Sequence, residues 1–262
     1  MLAVGLLAAH GPTPMMPAMS FERIRQLRPY PNFDLSDLPE TEHDEAGSIC
    51  VNIGRLHHRA AAFWAARMLF LNCAERQLFD PANGGVYHEW QLCAARDAVM
   101  SVYHFGRILE GIDKSLGACL SLRGKIDIGA KKAAKKQFKR RFPSFISLRH
   151  ALAHSAERSK TAKDFRRHGL NSRRVVQINP AVTIRLSADG DVVLFDDNIW
   201  GTTFSSHWDG QVVQCEINDQ SGAWLDEAID AYWAAFDAII DHSPKIPPII
   251  EQQYCDGAPD PT

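Results

Sequence analysis

From Ser48 onward, apolar side chains return every three or four residues: Ile49, Ile53, Leu56, Ala60, Phe63, Trp64, Ala66, Leu69, Phe70 and Cys73. That spacing lines one face of a helix and predicts a first helix over about 48–78. Asp80-Pro-Ala-Asn-Gly-Gly85 interrupts it. Trp90, Leu92, Cys93, Val99, Val102, Tyr103, Phe105, Ile108, Leu109, Ile112 and Leu116 then trace a second helix over about 86–121. Two long helices joined by a short Gly-rich loop are expected to pack antiparallel.

The third helical region is split. Lys131 to Phe142 reads as a lysine-rich amphipathic piece, and Pro143 can begin a helix but not continue one. A new helix is therefore expected near Ser144, with Phe145, Leu148, Ala151 and Leu152 as its apolar stripe. Arg149, His150, His154, Glu157 and Arg158 fall on its more polar side. Past a basic linker the period changes to two, in Val175 to Ile178, Val182 to Leu186, Val192 to Phe195, Trp200 to Phe204 and Val212 to Ile217. Asp189-Gly190 and Asp209-Gly210 stand where hairpin turns require positive φ, which predicts a small antiparallel meander. The helical period returns over 219–241 with Leu225, Ala228, Ile229, Tyr232, Phe236, Ile239 and Ile240, capped by Asn218 or Asp219 and stopped by Pro244, Pro247 and Pro248.

The simplest assembly is mainly α: an up-and-down four-helix bundle built from 48–78, 86–121, the 131–157 region and 219–241. An antiparallel β-meander at about 174–217 is inserted before the last helix. Residues 1–47, rich in proline and then acidic, read as an extended arm, and 244–262 as a Pro-rich tail. No internal repeat is visible.

Composition narrows the class. With 262 residues, 45% apolar and 23% charged, the chain is expected to be globular rather than disordered. The apolar opening Met1 to Ala9 has no Lys or Arg before it and breaks at His10-Gly-Pro12, short of the roughly 20 residues of a membrane span. The expectation is a cytoplasmic protein. Six dispersed cysteines without a C-x-x-C pair point to reduced thiols rather than a zinc knuckle or disulfide scaffold.

A net charge of -2 predicts no global attraction to nucleic acid or membrane, but it hides a segregation. Residues 121–174 carry 17 Lys and Arg against three acids, while 186–244 carry 12 acids and no Lys or Arg. Lys131, Lys132, Lys135, Lys136, Lys139, Arg140 and Arg141 precede the helix of Arg149, and Arg158 follows it. These are candidate contacts for RNA phosphates. The competing explanation is that the basic face docks on the acidic meander and last helix, or on an acidic protein partner. Trp90, Trp200 and Trp208 are candidate base-stacking residues, with burial in the core as the alternative.

Chemistry concentrates in Ser147-Leu-Arg149-His150-Ala-Leu-Ala-His154. Metal-independent cleavage of RNA needs a base for the ribose 2′-hydroxyl, an acid for the departing 5′ oxygen, and a cation for charge building on the phosphorus. Histidine, with an unperturbed pKa near 6.5, serves the first two. The guanidinium of Arg149 offers a planar fork to phosphate oxygens. On an unbroken helix His150 and His154 would lie about 40° apart and Arg149 roughly 140° from His154. The histidines would stand side by side with the arginine splayed, so that a complete site would draw on two copies. The alternatives are a surface salt bridge for Arg149, a packed bundle histidine at 154, or a zinc ion held by His150 and His154 at i, i+4.

Arg149, the polar residue after it, and a histidine five positions on resemble the R-x4-6-H signature of the HEPN superfamily, with His150 in the Asn place of its RN-x3-H form. The resemblance implies a helical bundle and a metal-independent endoribonuclease with no cofactor, of a kind found among toxins and antiviral effectors. It also implies a homodimer with the motifs at the interface, and an antitoxin or regulatory protein as partner. By this resemblance Arg149 would stabilise transition-state charge, His154 would do acid/base work, and His150 would orient or bind. Several HEPN toxins carry a modifiable Tyr two residues after the histidine, where this chain has Ala156. No Gly-rich phosphate loop, nucleophile elbow or dinucleotide fingerprint offers another enzymatic reading.

Overall fold

A computed structural model of the chain describes residues 30–154, 170–171, 175–179, 182–185, 192–193 and 197–241. Among them the fold is mainly helical, with a small three-stranded antiparallel sheet. Helix α1 (His43–Phe79) and helix α2 (Gly84–Ala118) are joined across a 3₁₀ turn at Pro81–Asn83. They run antiparallel: Asn52 near the start of α1 lies against Gly111 near the end of α2, while Gln77 donates to Gln91 at the other end. Most of the expected apolar faces are buried in the core, but Leu69 and Trp90 stay about half exposed, Cys93 is exposed, and Tyr103 and Ile108 are partly buried.

Helix α1 starts at His43, ahead of the expected boundary at Ser48. Asp44 and Glu45 occupy its first turn, where the positive end of the helix dipole favours carboxylates. Upstream, Phe33 stacks on Phe236 at 5.8 Å and pairs with Ile240 in a β-bridge, and Leu38 is buried. Residues 33 and 38, expected in the arm, therefore belong to the core.

Helix α2 ends one residue before Cys119, and Glu42 accepts hydrogen bonds from the Ser121 backbone N–H and hydroxyl, closing the one-turn helix α3 (Leu120–Arg123). Helix α4 (Ile128–Arg141) is capped by Asp127, whose carboxylate accepts from the Ala130 N–H. The expected break at Pro143 is found, and helix α5 (Phe145–Ala153) follows. Helix α6 (Asp219–Phe236) is capped by Asn218, which accepts from the Ser221 N–H.

Between α5 and α6 the described residues include antiparallel strands. β1 (Leu170–Asn171) pairs with β4 (Val192–Val193), and β2 (Val175–Asn179) with β3 (Val182–Arg185). The three-stranded sheet is β5 (Asn198–Trp200), β6 (Thr203–Trp208) and β7 (Gln211–Glu216) in that order. The expected turn at Asp209-Gly210 joins β6 to β7, with φ of 49° and 68° at its two central residues. Both lie in the left-handed region, the conformation of a type I′ hairpin. The turn expected at Asp189-Gly190 lies outside the described residues, as do most of residues 1–47 and all of 244–262.

Two close approaches fix how the helices stack. A Cβ on Gly222 of α6 would lie 2.3 Å from the Trp64 ring of α1, so the absence of a side chain lets these helices meet. Trp64 Nε1 then donates to Asp226, and Arg67 pairs with Asp219. A Cβ on Gly106 of α2 would lie 2.5 Å from the Phe145 ring, which seats the first turn of α5. No helix among the described residues is long and apolar enough to cross a membrane. Among the described residues Cys50, Cys73, Cys93, Cys119 and Cys215 form no disulfide.

Candidate functional site

Helix α5 buries Phe145, Leu148 and Ala151 against the core and leaves Arg149, His150 and His154 half-buried on its other side. The helix stops at Ala153. His154 departs from helical geometry at φ -118°, ψ 26°, while its N–H still bonds the His150 carbonyl at 3.0 Å. This ending changes the expected arrangement. The Arg149 guanidinium reaches back, placing Nη1 3.4 Å from His150 Nδ1 and 3.5 Å from His154 Nε2. The expectation of a splayed arginine assumed an unbroken helix, and the long side chain together with the helix end overturns it. All three motif residues meet within one chain.

The contacts are long for hydrogen bonds, and since a guanidinium can only donate, each imidazole nitrogen accepts from it only in the tautomer that turns a lone pair toward it. No carboxylate lies within ion-pair distance of Arg149 among the described residues. Its other neighbour is the face of Tyr103 on α2, with the guanidinium carbon 5.9 Å from the ring centre. The two imidazoles stack at 5.9 Å and 21°. Trp208, at the end of β6, lies against both, 5.6 Å from His150 and 5.8 Å from His154.

Trp208 is held there by the hairpin. Pairing of Trp208 with Gln211 across the turn fixes the register of β6. The sheet itself is anchored to α2, because Asp197 accepts from Arg96 and, through its other oxygen, from the Ser206 hydroxyl. Tyr103 and Trp208 thus complete the cluster from 46 residues upstream and 59 downstream of Arg149. The hydrophobic pattern assigns Tyr103 to a helix face, and nothing local in the sequence signals that either ring meets the motif.

The remaining candidates divide. Lys131 is buried and, with Lys135, is ion-paired to Asp113 of α2, so these two serve the fold rather than a phosphate. Burial opposes ionisation of Asp113, yet hydrogen bonds from both lysines outweigh it and hold the carboxyl below the usual range. Arg141 pairs with Glu227 of α6 and lies over the Trp224 ring at 4.9 Å. Among the described residues only the Arg141–Glu227 ion pair docks the basic face on the last helix, as the competing explanation held; Lys131 and Lys135 pair with α2 instead. Lys132, Lys136, Lys139 and Arg140 are exposed with no ion pair among the described residues. Arg158 lies outside the described residues.

The zinc alternative would place a metal ion beside the Arg149 cation, which lies against one nitrogen of each imidazole. Among the described residues no group of three or more His, Cys, Asp and Glu is arranged to hold a metal ion. His57 packs edge-on to Trp233 and His58 lies beside Tyr30. Trp90 is 54% exposed and Trp200 half-buried, both away from the described cluster contacts. Comparison with protein-family models, curated proteins and solved structures finds no match, and the resemblance to the HEPN superfamily rests on the motif and the helices bearing it.

Proposed function

We propose that the chain is a metal-independent endoribonuclease of HEPN type, cleaving RNA by attack of a ribose 2′-hydroxyl on the adjacent phosphodiester. The observation that carries this reading is a half-buried guanidinium with no carboxylate partner among the described residues, in contact with two imidazoles. A partly desolvated cation without a carboxylate partner among the described residues favours an incoming anion, and a phosphodiester fits its planar fork. His154 acts as one proton-transfer group, and His150, which contacts the same guanidinium nitrogen, orients the substrate or completes the acid/base pair. The rings stand 5.9 Å apart, and in-line displacement at phosphorus requires groups on opposite sides of the reacting atom. Lys132, Lys136, Lys139 and Arg140 supply a track for flanking phosphates.

The proposal extends to the assembly: α1, α2, the α4–α5 pair and α6 as the four members of an up-and-down bundle, two copies pairing as a homodimer, and an acidic antitoxin or regulatory protein as partner. A toxin or defence role in the cytoplasm follows from the same resemblance. Arg149, His150 and His154 already meet in one chain, so dimerisation in this scheme shapes the groove rather than supplying the missing arginine.

A second reading has its own support. Trp208 covers faces of both imidazoles, which suits a non-catalytic module that binds RNA or nucleotide by stacking. Purified protein incubated with total RNA and EDTA separates the two. Cleavage that persists under chelation and disappears in both Arg149→Ala and His154→Ala supports the nuclease, whereas cleavage untouched by these changes overturns it. Binding without cleavage in the wild type supports the module.

A further inference from the structure

A second cationic site lies on the outer face of the α1–α2 hairpin and uses none of the motif residues. Asn52, Arg55 and Arg59 of α1 face His104, Arg107, Ile108 and Gly111 of α2 across a groove of about 370 Å³. Residues 52, 55 and 59, like 104, 107 and 111, recur at three- and four-residue intervals, so each helix contributes one stripe to the groove. Arg107 pairs with Glu110 on its own helix. Arg55 and Arg59 have no carboxylate within ion-pair distance among the described residues. Like charges at i, i+4 disfavour a helix, and their retention side by side in a groove favours a counter-anion. Burial and the Arg59 charge lower the pKa of the His104 imidazole, as expected beside an unneutralised cation cluster.

The groove continues. Arg59 and His104 also line an adjoining trough of about 520 Å³, whose remaining walls include Ala62, Ala65, Leu69, Met100 and, at the far side, Asp97. Small side chains on α1 open this trough, and Leu69, 48% exposed, leaves apolar surface uncovered within it. A cationic compartment therefore passes into an apolar one that holds a single carboxylate.

The geometry points to this groove as a binding site for a phosphate ester with an apolar or planar body. The phosphate sits between Arg55, Arg59 and His104, and the body lies along Ala62, Ala65, Leu69 and Met100. Guanidinium forks suit tetrahedral oxyanions, and Asp97 suits a hydrogen-bond donor on the body. The site is independent of the nuclease proposal, because no residue of the Arg149 cluster lines it.

Isothermal titration of the full chain with inorganic pyrophosphate, ADP and hexyl phosphate tests this inference. All three are expected to bind, and Arg55→Ala with Arg59→Ala is expected to weaken each by about tenfold or more, the scale of a lost charge-assisted hydrogen bond. Ala65→Leu, which fills the trough, is expected to weaken ADP and hexyl phosphate while leaving pyrophosphate unchanged. Whether ADP or hexyl phosphate binds tighter distinguishes a nucleotide from a lipid-like phosphate as the source. RNA cleavage in EDTA by the Arg55→Ala, Arg59→Ala double variant is expected to match the wild type, because neither arginine belongs to the Arg149 cluster, which separates this site from the nuclease reading. Wild-type protein that binds none of the three at millimolar concentration overturns the inference. So do unaltered affinities in the double variant, whose unchanged melting curve would show it to be folded.

Discussion

Two stretches gather positive charge, and the fold treats them oppositely. On α4, the cations that face inward meet carboxylates: Lys131 and Lys135 share Asp113, and Arg141 takes Glu227. In the middle of α5, Arg149 is also half-buried but faces two imidazoles and a phenol ring. A carboxylate neutralises a cation within the molecule and leaves little attraction for an outside anion. Imidazoles and aromatic faces position the cation without cancelling it. The contrast separates charges that hold the fold from one poised to act, although both lie in the same basic segment of sequence.

The largest expected effect lies at the second location. Arg149→Ala and His154→Ala are each expected to lower RNA cleavage by about 10²- to 10⁴-fold, the range for a positioned acid, base or charge stabiliser. Urea unfolding of either variant is expected to change stability by less than about 1 kcal/mol. A large loss of stability in Arg149→Ala would make it a structural residue and erase the distinction from α4.

Asp113→Ala reverses the pattern. It strips both lysines of their carboxylate and leaves Lys131 charged and buried, so a loss of about 3 kcal/mol is expected in urea unfolding. The pH dependence has a definite sign. The folded carboxyl titrates below its ordinary value, so its contribution to stability is present above the usual Asp range near 4 and declines as pH falls through the depressed value. Wild-type stability is expected to fall on acidification through that window, with a smaller slope in Asp113→Ala.

Trp208→Ala removes the ring that braces both histidines and is expected to cost about 1 kcal/mol of stability, the scale of an aromatic pair. In the nuclease reading it retains cleavage above that of Arg149→Ala; in the binding-module reading it loses RNA affinity outright. The smallest effect is expected from replacing Lys132, Lys136, Lys139 and Arg140 by Ala. RNA binding should weaken, and the slope of log affinity against log salt should flatten by up to about 0.7 for each phosphate contact removed. An unchanged slope would remove α4 from the RNA path.

The helix faces are legible in the sequence because period and burial are local: Ile49, Ile53, Leu56, Phe63 and Phe70 are fully buried, as their spacing requires. The Asp209-Gly210 turn is legible for the same reason, since positive φ restricts which residues sit there. Helix ends are read less well. Residues 43–47 look like acidic arm, yet Asp44 and Glu45 suit the first turn of α1. Arg149, His150 and His154 are visible as a motif, but their arrangement depends on α5 ending at Ala153. Tyr103 and Asp113 escape a sequence reading because their roles arise from tertiary contact, as does the contact of Trp208, read only as a candidate base-stacking residue, with the two histidines, and the groove of Arg55, Arg59 and Arg107 appears only when two helices are set side by side.

The chemistry of the RNA ends tests the central claim most directly. Attack by a 2′-hydroxyl, with Arg149 and the two histidines serving the phosphodiester, leaves a 2′,3′-cyclic phosphate on one fragment and a 5′-hydroxyl on the other. The account predicts these termini from wild-type protein in EDTA. Fragments ending in 3′-hydroxyl and 5′-phosphate, or RNA left whole by folded protein, would contradict it.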